Sequence, residues 1–103
     1  MIELSEQNFD TYTRDGISVI DFWAAWCGPC TTLGPIFAQT APEFDGRAKF
    51  AKLNVDSSPK VAEQFGVMSI PTILVLRDGK EIGRLVGSRG GEQLKRELET
   101  IFA

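Results

Sequence analysis

The segment Ile17–Trp23 (ISVIDFW) constrains the fold of this chain more than any other part of its sequence. The segment is rich in β-branched and aromatic residues, which favour strands. Apolar residues occupy both its odd and its even positions, so both faces of the strand are apolar. This pattern predicts a central strand that is covered on both sides, as in a sheet with helices packed on each face.

The rest of the chain alternates between strand and helix patterns. We predict strands over residues 1–4, 17–23, 48–55, 72–76 and 81–86. We predict helices over residues 5–14, 29–45, 58–66 and 91–102, the first capped by Ser5 and the second kinked at Pro35. The early strands are joined by helices and can be parallel, whereas the last two form a hairpin and must be antiparallel. The predicted fold class is α/β: one domain over residues 1–103, with a mixed sheet of about five strands and about four helices.

Composition limits the classes of function. The 14 Asp and Glu residues exceed the 11 Lys and Arg residues, giving a net charge of -3. This balance argues against nucleic acid or an anionic membrane surface as the main partner. Residues 22–42 carry no charge but contain three prolines, so they do not predict a membrane span. The N-terminus lacks the features of a signal peptide, and we expect a cytoplasmic protein.

The two cysteines, Cys27 and Cys30, lie where the central strand meets the second predicted helix. Free N–H groups and the helix dipole at that point lower the pKa of a thiol and make Cys27 a nucleophile. Cys30 lies one turn further on, within disulfide reach. The spacing therefore predicts thiol–disulfide exchange, in which Cys27 attacks a substrate disulfide and Cys30 resolves the mixed disulfide. With Gly28 and Pro29 between the cysteines and no histidine in the chain, we expect a reductant.

A structural zinc site and a pair of inert cysteines are the alternatives for this motif. Zinc requires four ligands, and the chain offers two thiols and no histidine. A C-x-x-C motif within a βαβ pattern is more typical of redox chemistry. We therefore predict no metal site.

Three other residues near this junction stand out in the sequence. Asp21 interrupts the apolar strand, and Lys52 of the neighbouring predicted strand is a candidate partner. Spacing supports two interpretations of Asp21 equally: a buried proton acceptor for Cys30 with a raised pKa, or a solvated residue near a strand end. Pro71 begins a predicted strand, and sequence physics alone does not favour a cis peptide bond there, because such bonds make up only about 5% of X–Pro bonds.

The two tryptophans are expected to differ. Trp23 ends the apolar strand, so we predict that it lies in the core. Trp26 directly precedes Cys27 in a loop, so we predict that it is partly exposed. An exposed aromatic side chain beside a nucleophile suits a surface that contacts other proteins.

Residues 21–30 (DFWAAWCGPC) resemble the active-site segment of the thioredoxin family almost letter for letter. Three more blocks match in order and at similar distances: 51–56 (AKLNVD), 70–72 (IPT) and 86–87 (VG). The resemblance covers essentially the whole chain. It implies a thioredoxin-like three-layer sandwich and a protein-disulfide reductase.

The resemblance also implies roles for single residues. Cys27 matches the nucleophile and Cys30 the resolving thiol. Asp21 and Lys52 match the buried acid and its lysine partner, and Pro71 matches a cis proline that faces the disulfide. The residues expected to contact substrate are Trp26, Gly28, Pro29, Ile70, Pro71, Val86 and Gly87.

By the same resemblance the chain binds no cofactor and works through the Cys27–Cys30 disulfide. Its expected partners are oxidised proteins and thioredoxin reductase, which passes electrons from NADPH, and we expect a monomer. Two departures stand out: many thioredoxins have a lysine directly after the second cysteine, where this chain has Thr31 followed by Thr32, and Pro42 can kink or end the second helix early. The alternative function is a docking module that does not depend on the thiols, whereas a disulfide oxidant is disfavoured by Gly28, Pro29 and the missing histidine.

Overall fold

The computed structural model describes all residues from Met1 to Ala103. Five strands form one mixed sheet: β1 (Ile2–Leu4), β2 (Ile17–Trp23), β3 (Ala48–Asn54), β4 (Thr72–Arg77) and β5 (Lys80–Val86). Four α-helices connect or follow them: α1 (Phe9–Thr13), α2 (Gly28–Thr40), α3 (Pro59–Gln64) and α4 (Gly91–Phe102). The predicted order of elements and the mixed α/β fold are confirmed.

The strand β2 lies at the centre of the sheet, whose order is β1-β3-β2-β4-β5. It pairs in parallel with β3 and in antiparallel with β4. The side chains of Val19, Ile20 and Phe22 are fully buried, although they point to opposite faces. The prediction that both sides of this strand are covered is therefore correct.

Each face of the sheet packs against two helices, which gives three layers. On one face Ile20 and Phe22 pack in a core cluster with Phe9 of α1 and Val61 of α3. On the other face Val19 packs in a cluster with residues of α2 and α4, namely Leu33, Phe37, Leu94, Leu98 and Phe102. Asp21 follows Val19 at an interval of two residues, so it points to the face that carries α2.

The first helix begins later than the sequence predicts. Ser5 does not cap it, because the N-cap residue is Asn8 and the helix starts at Phe9. The Asn8 side chain accepts a hydrogen bond from the Ser5 N–H at 2.8 Å, which closes a polar turn before the helix. The carbonyl oxygen of Ser5 accepts a hydrogen bond from the Phe9 N–H at 3.0 Å, but this single bond does not extend into a regular helix before Phe9.

The second helix ends earlier than residue 45, as Pro42 allowed. The α-helix stops at Thr40, and a 3-10 turn over Ala41–Phe44 follows, with Pro42 in its first turn. Proline has no N–H to donate, so the helical hydrogen bond that residue 42 would make to the carbonyl oxygen four residues earlier is missing, although Ala41 keeps helical dihedral angles. Pro35, by contrast, lies inside α2, and the helix continues across it.

A tight turn joins β4 to β5, as predicted. Asp78 and Gly79 both have positive φ values, 52° and 84°, which is the geometry of a two-residue hairpin turn. None of the helices in the structure has the length and apolar character needed to cross a membrane.

Candidate active site

Cys27 lies at the point where the chain leaves β2 and enters α2. It is the N-cap residue of α2, and its Sγ accepts a hydrogen bond from the backbone N–H of Cys30 at 3.2 Å. Pro29 follows in the first turn, where its missing N–H costs no helical hydrogen bond. The sulfur of Cys27 therefore faces the positive end of the α2 dipole, which stabilises a thiolate.

The two cysteines form a disulfide, with their Cα atoms 5.3 Å apart. Only 5% of each residue is exposed, whereas Gly28 and Pro29 between them are exposed. Access to the sulfur of Cys27 is therefore restricted to a small window. The Sγ of Cys27 lies 3.8 Å from the carbonyl oxygen of Ile70, which can accept a hydrogen bond from a thiol there.

The loop before β4 brings Ile70 and Pro71 to the disulfide. The Ile70–Pro71 peptide bond is cis, as the resemblance implied and sequence physics did not. Pro71 is buried, and its carbonyl oxygen accepts a hydrogen bond from the Gly87 N–H at 2.8 Å. This bond ties the end of β5 to the loop beside the disulfide.

Apolar side chains surround the window onto Cys27. Trp26 is 72% exposed and Val86 is 56% exposed, while Ile70 is half-buried. Met68 is 97% exposed and was not predicted as part of this surface. Its only sequence signal was an apolar residue in the loop between Gly66 and Pro71. A shallow cleft lies among these groups, lined by Trp26, Val55, Val67, Met68, Ser69 and Ile70.

Hydrogen bonds to acidic side chains orient the indoles of both tryptophans. The Trp26 Nε1–H donates to Asp56 at 2.9 Å, and the Trp23 Nε1–H donates to Glu3 at 3.0 Å. Trp26 is exposed, as predicted. Trp23 is only partly buried, so its prediction as a core residue is wrong: its indole must reach Glu3 at the edge of the sheet.

Asp21 is fully buried, and neither of its carboxylate oxygens has a hydrogen-bond partner. The interpretation of Asp21 as a solvated residue is therefore wrong. Lys52 stands beside it in the register of β2 and β3, as the sequence suggested. Burial raises the pKa of Asp21 to about 6, the positive charge of Lys52 opposes that change, and the negative charge of Glu3 adds to it.

A cleft of about 480 Å³ lies behind the disulfide. Asp21, Lys52 and Cys30 all line it, together with Pro35 of α2. Since a water molecule occupies about 30 Å³ in the liquid, this cleft has room for water between the carboxylate and Cys30. The ammonium group of Lys52 lies 4.5 Å from the centre of the Trp23 ring, at the same end of the sheet.

The first turn of α2 has no charged side chain. Thr31 and Thr32 are both exposed, and the Thr31 hydroxyl donates to the carbonyl oxygen of Cys27 at 3.3 Å. Elsewhere, the structure contains no group of three or more His, Cys, Asp or Glu residues arranged to hold a metal ion.

These features together define a class of protein. A disulfide at the N-terminus of a helix, in an α/β fold and beside an exposed apolar surface, is the site of a thiol–disulfide oxidoreductase. The family model described as Thioredoxin matches residues 1–100 of this chain. The chain belongs to the thioredoxin family.

Curated relatives agree over nearly the whole length. The chain is 39% identical over 99 residues to the thioredoxin of Staphylococcus saprophyticus, and the matched region covers 96% of this chain and 95% of that relative. It is 41% identical over 99 residues to Thioredoxin 2 of Chlorobaculum tepidum, and the matched region covers 94% of this chain and 91% of that relative. The chain is thus a thioredoxin-type dithiol–disulfide oxidoreductase, and Cys27–Cys30 is its redox-active disulfide.

Proposed function

We propose that this chain reduces disulfide bonds in other proteins, with Cys27 as the nucleophile and Cys30 as the resolving thiol. The observation that carries this assignment is the position of Cys27 as N-cap of α2, where the Cys30 N–H donates to its sulfur. In the reduced chain the Cys27 thiolate attacks one substrate sulfur, the substrate S–S bond breaks, and one substrate thiolate leaves. The Cys30 thiolate then attacks Cys27, the second substrate thiolate leaves, and two electrons have passed to the substrate.

Asp21 is the proton acceptor for Cys30 in this proposal, and the positive charge of Lys52 favours the ionised form of Asp21. Both residues line the cleft behind Cys30, and the pKa of Asp21 is raised to about 6. At neutral pH the carboxylate is therefore mostly ionised and able to take the Cys30 proton through water. As the pH falls through about 6, Asp21 becomes protonated and this capacity is lost.

The substrate-binding surface consists of the apolar and backbone groups around the window onto Cys27. Its members are Trp26, Gly28, Pro29, Met68, Ile70, Pro71, Val86 and Gly87. A cluster of exposed apolar side chains is typical of a surface that contacts another protein, so the partner in this proposal is a polypeptide. Because Thr31 and Thr32 add no charge, the electrostatic part of partner selection rests on residues outside the first turn of α2.

The source of electrons completes the proposed cycle. Thioredoxin reductase, drawing on NADPH, returns the Cys27–Cys30 disulfide to the dithiol, and the chain acts as a monomer in the cytoplasm. The Gly28–Pro29 dipeptide and the absence of histidine support a reductant, since neither adds positive charge that would stabilise the thiolate.

The reduction potential of the Cys27–Cys30 pair tests the direction of this reaction. The pair is titrated against dithiothreitol, and Trp23 and Trp26 fluorescence reports the ratio of dithiol to disulfide. We expect a potential well below that of the glutathione pool. A potential near or above that of glutathione would identify an isomerase or an oxidant instead.

Two serine variants test the order of the two thiols. Cys27→Ser is expected to abolish reduction of insulin disulfides, and Cys30→Ser is expected to accumulate a covalent mixed disulfide visible by mass spectrometry. Full turnover by Cys27→Ser contradicts the assignment. A variant with both serines that keeps its biological activity supports the alternative, a docking module independent of the thiols.

A further inference from the structure

The end of β5 and the segment after it form one side of the substrate-binding surface. Val86 is the last residue of β5 and is exposed, and Gly87 follows it with a φ of 96°, which is open mainly to glycine. The Gly87 N–H is bonded to Pro71. The carbonyl groups of Val86 and Gly87 both accept hydrogen bonds from one side chain of the loop that follows.

Arg89 supplies hydrogen bonds to both of these carbonyl groups. Its Nη2 donates to the Val86 oxygen at 2.7 Å, and its Nε donates to the Gly87 oxygen at 3.4 Å. Its Nη1 donates to the carboxylate of Glu97 in α4 at 2.6 Å. The fixed fork of a guanidinium group allows one side chain to hold all three acceptors at once.

Arg89 is the most buried cation among the four ion pairs of the structure. Only 10% of its side chain is exposed, against 53% for Arg47 in its pair with Glu99. A cation at that depth is stable only when its charge and its N–H groups are satisfied. Glu97 neutralises the charge, and the two carbonyl groups occupy N–H groups that Glu97 does not reach.

These bonds connect α4 to the atoms around the reactive sulfur. The Glu97 carboxylate accepts a hydrogen bond from Arg89, the Val86 carbonyl group accepts another from Arg89, and the Gly87 N–H donates to the carbonyl oxygen of Pro71. The neighbour of Pro71 is Ile70, whose carbonyl oxygen lies 3.8 Å from the Sγ of Cys27. Movement of the segment after β5 would therefore reshape the surface beside the disulfide without touching either cysteine.

We propose that Arg89 is a positioning residue for protein substrates: anchored by Glu97, it holds the Val86–Gly87 backbone in the shape that receives them. Arg89 takes no part in the thiol chemistry. This inference rests on the proposed function, because it assigns Val86 and Gly87 to the substrate-binding surface. A polypeptide contacts that surface, whereas a disulfide as small as cystine needs little more than the window onto Cys27.

Saturation kinetics separate these two kinds of substrate. The reduced protein is mixed with a disulfide-bonded peptide or with cystine, and tryptophan fluorescence follows its oxidation. For Arg89→Ala we expect the half-saturating peptide concentration to rise about tenfold, because two charge-assisted hydrogen bonds to the segment are lost. The limiting rate with peptide, and the rate with cystine, should remain within about twofold of the parent.

Three further variants define the origin of the effect. Arg89→Lys keeps the charge but not the fork, so partial recovery is expected. Glu97→Gln removes the anchoring charge, so a smaller rise in the same direction is expected. Arg47→Ala removes an exposed ion pair to the same helix and should change neither substrate's kinetics. If Arg89→Ala does not fold, Arg89→Lys and Glu97→Gln decide the question.

Amide hydrogen exchange provides a second measurement on the same variants. Loss of Arg89 should accelerate exchange at Gly87 at least about tenfold while amides in β2 keep their rates, because only the local segment is released. Unchanged exchange at Gly87 would overturn the inference, since the backbone would then be held by other groups.

The kinetics can also overturn the inference. If Arg89→Ala slows the reactions with peptide and with cystine equally, the effect of Arg89 is on the thiol chemistry and not on substrate binding. If Arg89→Ala leaves the kinetics with peptide unchanged, Arg89 has no positioning role. Val86→Asp separates failure of the inference from failure of the proposed surface. If Val86→Asp weakens peptide saturation and Arg89→Ala does not, only the inference fails; if neither does, the proposed substrate-binding surface fails with it.

Discussion

On the outer side of the Cys27–Cys30 disulfide the side chains are apolar and exposed, whereas on the inner side they are ionisable, with Asp21 fully buried and Lys52 partly buried. Trp26 and Met68 face solvent beside Cys27, and Asp21 and Lys52 line the cleft behind Cys30. The outer groups suit contact with another polypeptide, and the inner groups suit proton transfer. In the proposed function, the disulfide therefore separates substrate recognition on its outer side from proton transfer on its inner side.

The largest expected effect concerns stability on the inner side. Burial lifts the pKa of Asp21 from its ordinary value near 4 to about 6, so the folded state binds a proton more tightly than the unfolded state does. Folding stability therefore falls as the pH rises from about 4 to about 6. We expect Asp21→Asn to raise the free energy of unfolding by about 3 kcal/mol at pH 8 and to change it little at pH 3.

Urea unfolding of the oxidised protein at several pH values measures this effect. Asp45→Asn is the matched control, because Asp45 is an exposed acid remote from the cleft, and we expect its curve to follow the parent. If Asp21→Asn raises the free energy of unfolding equally at pH 3 and pH 8, the charge of the carboxylate is not the cause of the increase.

Asp21→Asn should also slow the resolution of the mixed disulfide. We expect a loss of about a hundredfold at pH 7, equivalent to about 2.7 kcal/mol, because the proton of Cys30 then passes to bulk water. Attack by Cys27 on the substrate should keep its rate, since Asp21 lies on the other side of the disulfide. Rapid quenching and mass spectrometry of the mixed disulfide follow the two steps separately.

The pH profile gives this prediction a second test. In the parent chain the resolution rate should decrease as the pH falls through about 6, where Asp21 becomes protonated. The Asn variant should lose that inflection. If the inflection survives in the variant, another group accepts the proton.

The smallest expected effect concerns the outer side. Met68→Thr removes an exposed apolar side chain from the surface beside Ile70, so the half-saturating concentration of a peptide disulfide should rise about fivefold. Resolution at pH 7 should be unchanged. Ile2→Thr is the control, because Ile2 is also exposed but lies on the edge strand β1. Equal effects of the two variants would mean that the surface near Met68 has no special role in binding.

The central strand could be predicted from the sequence, because the apolar character of its residues indicates that both faces of the strand are covered. Apolar side chains at every kind of position in Ile17–Trp23 are stable only in a covered strand, and its predicted ends are correct. The start of α1 could not be predicted as well. Residues 5–8 form a turn with one helical hydrogen bond, from the Phe9 N–H to the Ser5 carbonyl oxygen, and a sequence pattern does not separate such a turn from the first turn of a helix.

Some residues of the candidate site could be predicted from the sequence and others could not. The cysteines could be predicted as a redox pair from their spacing and from their position at the start of a helix. The burial of Asp21 could not be predicted, because the spacing of side chains indicates which face of a strand a residue lies on and not how deeply that face is covered. The cis bond at Pro71 followed only from the resemblance to the family.

Most of the contacts that the sequence did not reveal join distant parts of the chain. Glu3 meets Trp23 from a different strand, and Asp56 meets Trp26 across a separation of 30 residues. Arg89 meets Glu97 from the loop before α4, at a separation of only 8 residues. The first two pairs exist only after the sheet is assembled, and no periodic pattern in the sequence indicates the third.

The strand order has a consequence for the chain while it is being synthesised. β1 pairs only with β3, and β2 pairs only with β3 and β4. No ladder can therefore form before residue 48 has left the ribosome, and assembly of the sheet is inherently non-local. Cys27 and Cys30 emerge before any partner of β2 exists, so the nascent chain meets cellular oxidants and reductants with both thiols uncovered. In the folded chain only 5% of each cysteine is exposed, so folding itself restricts access to both sulfur atoms.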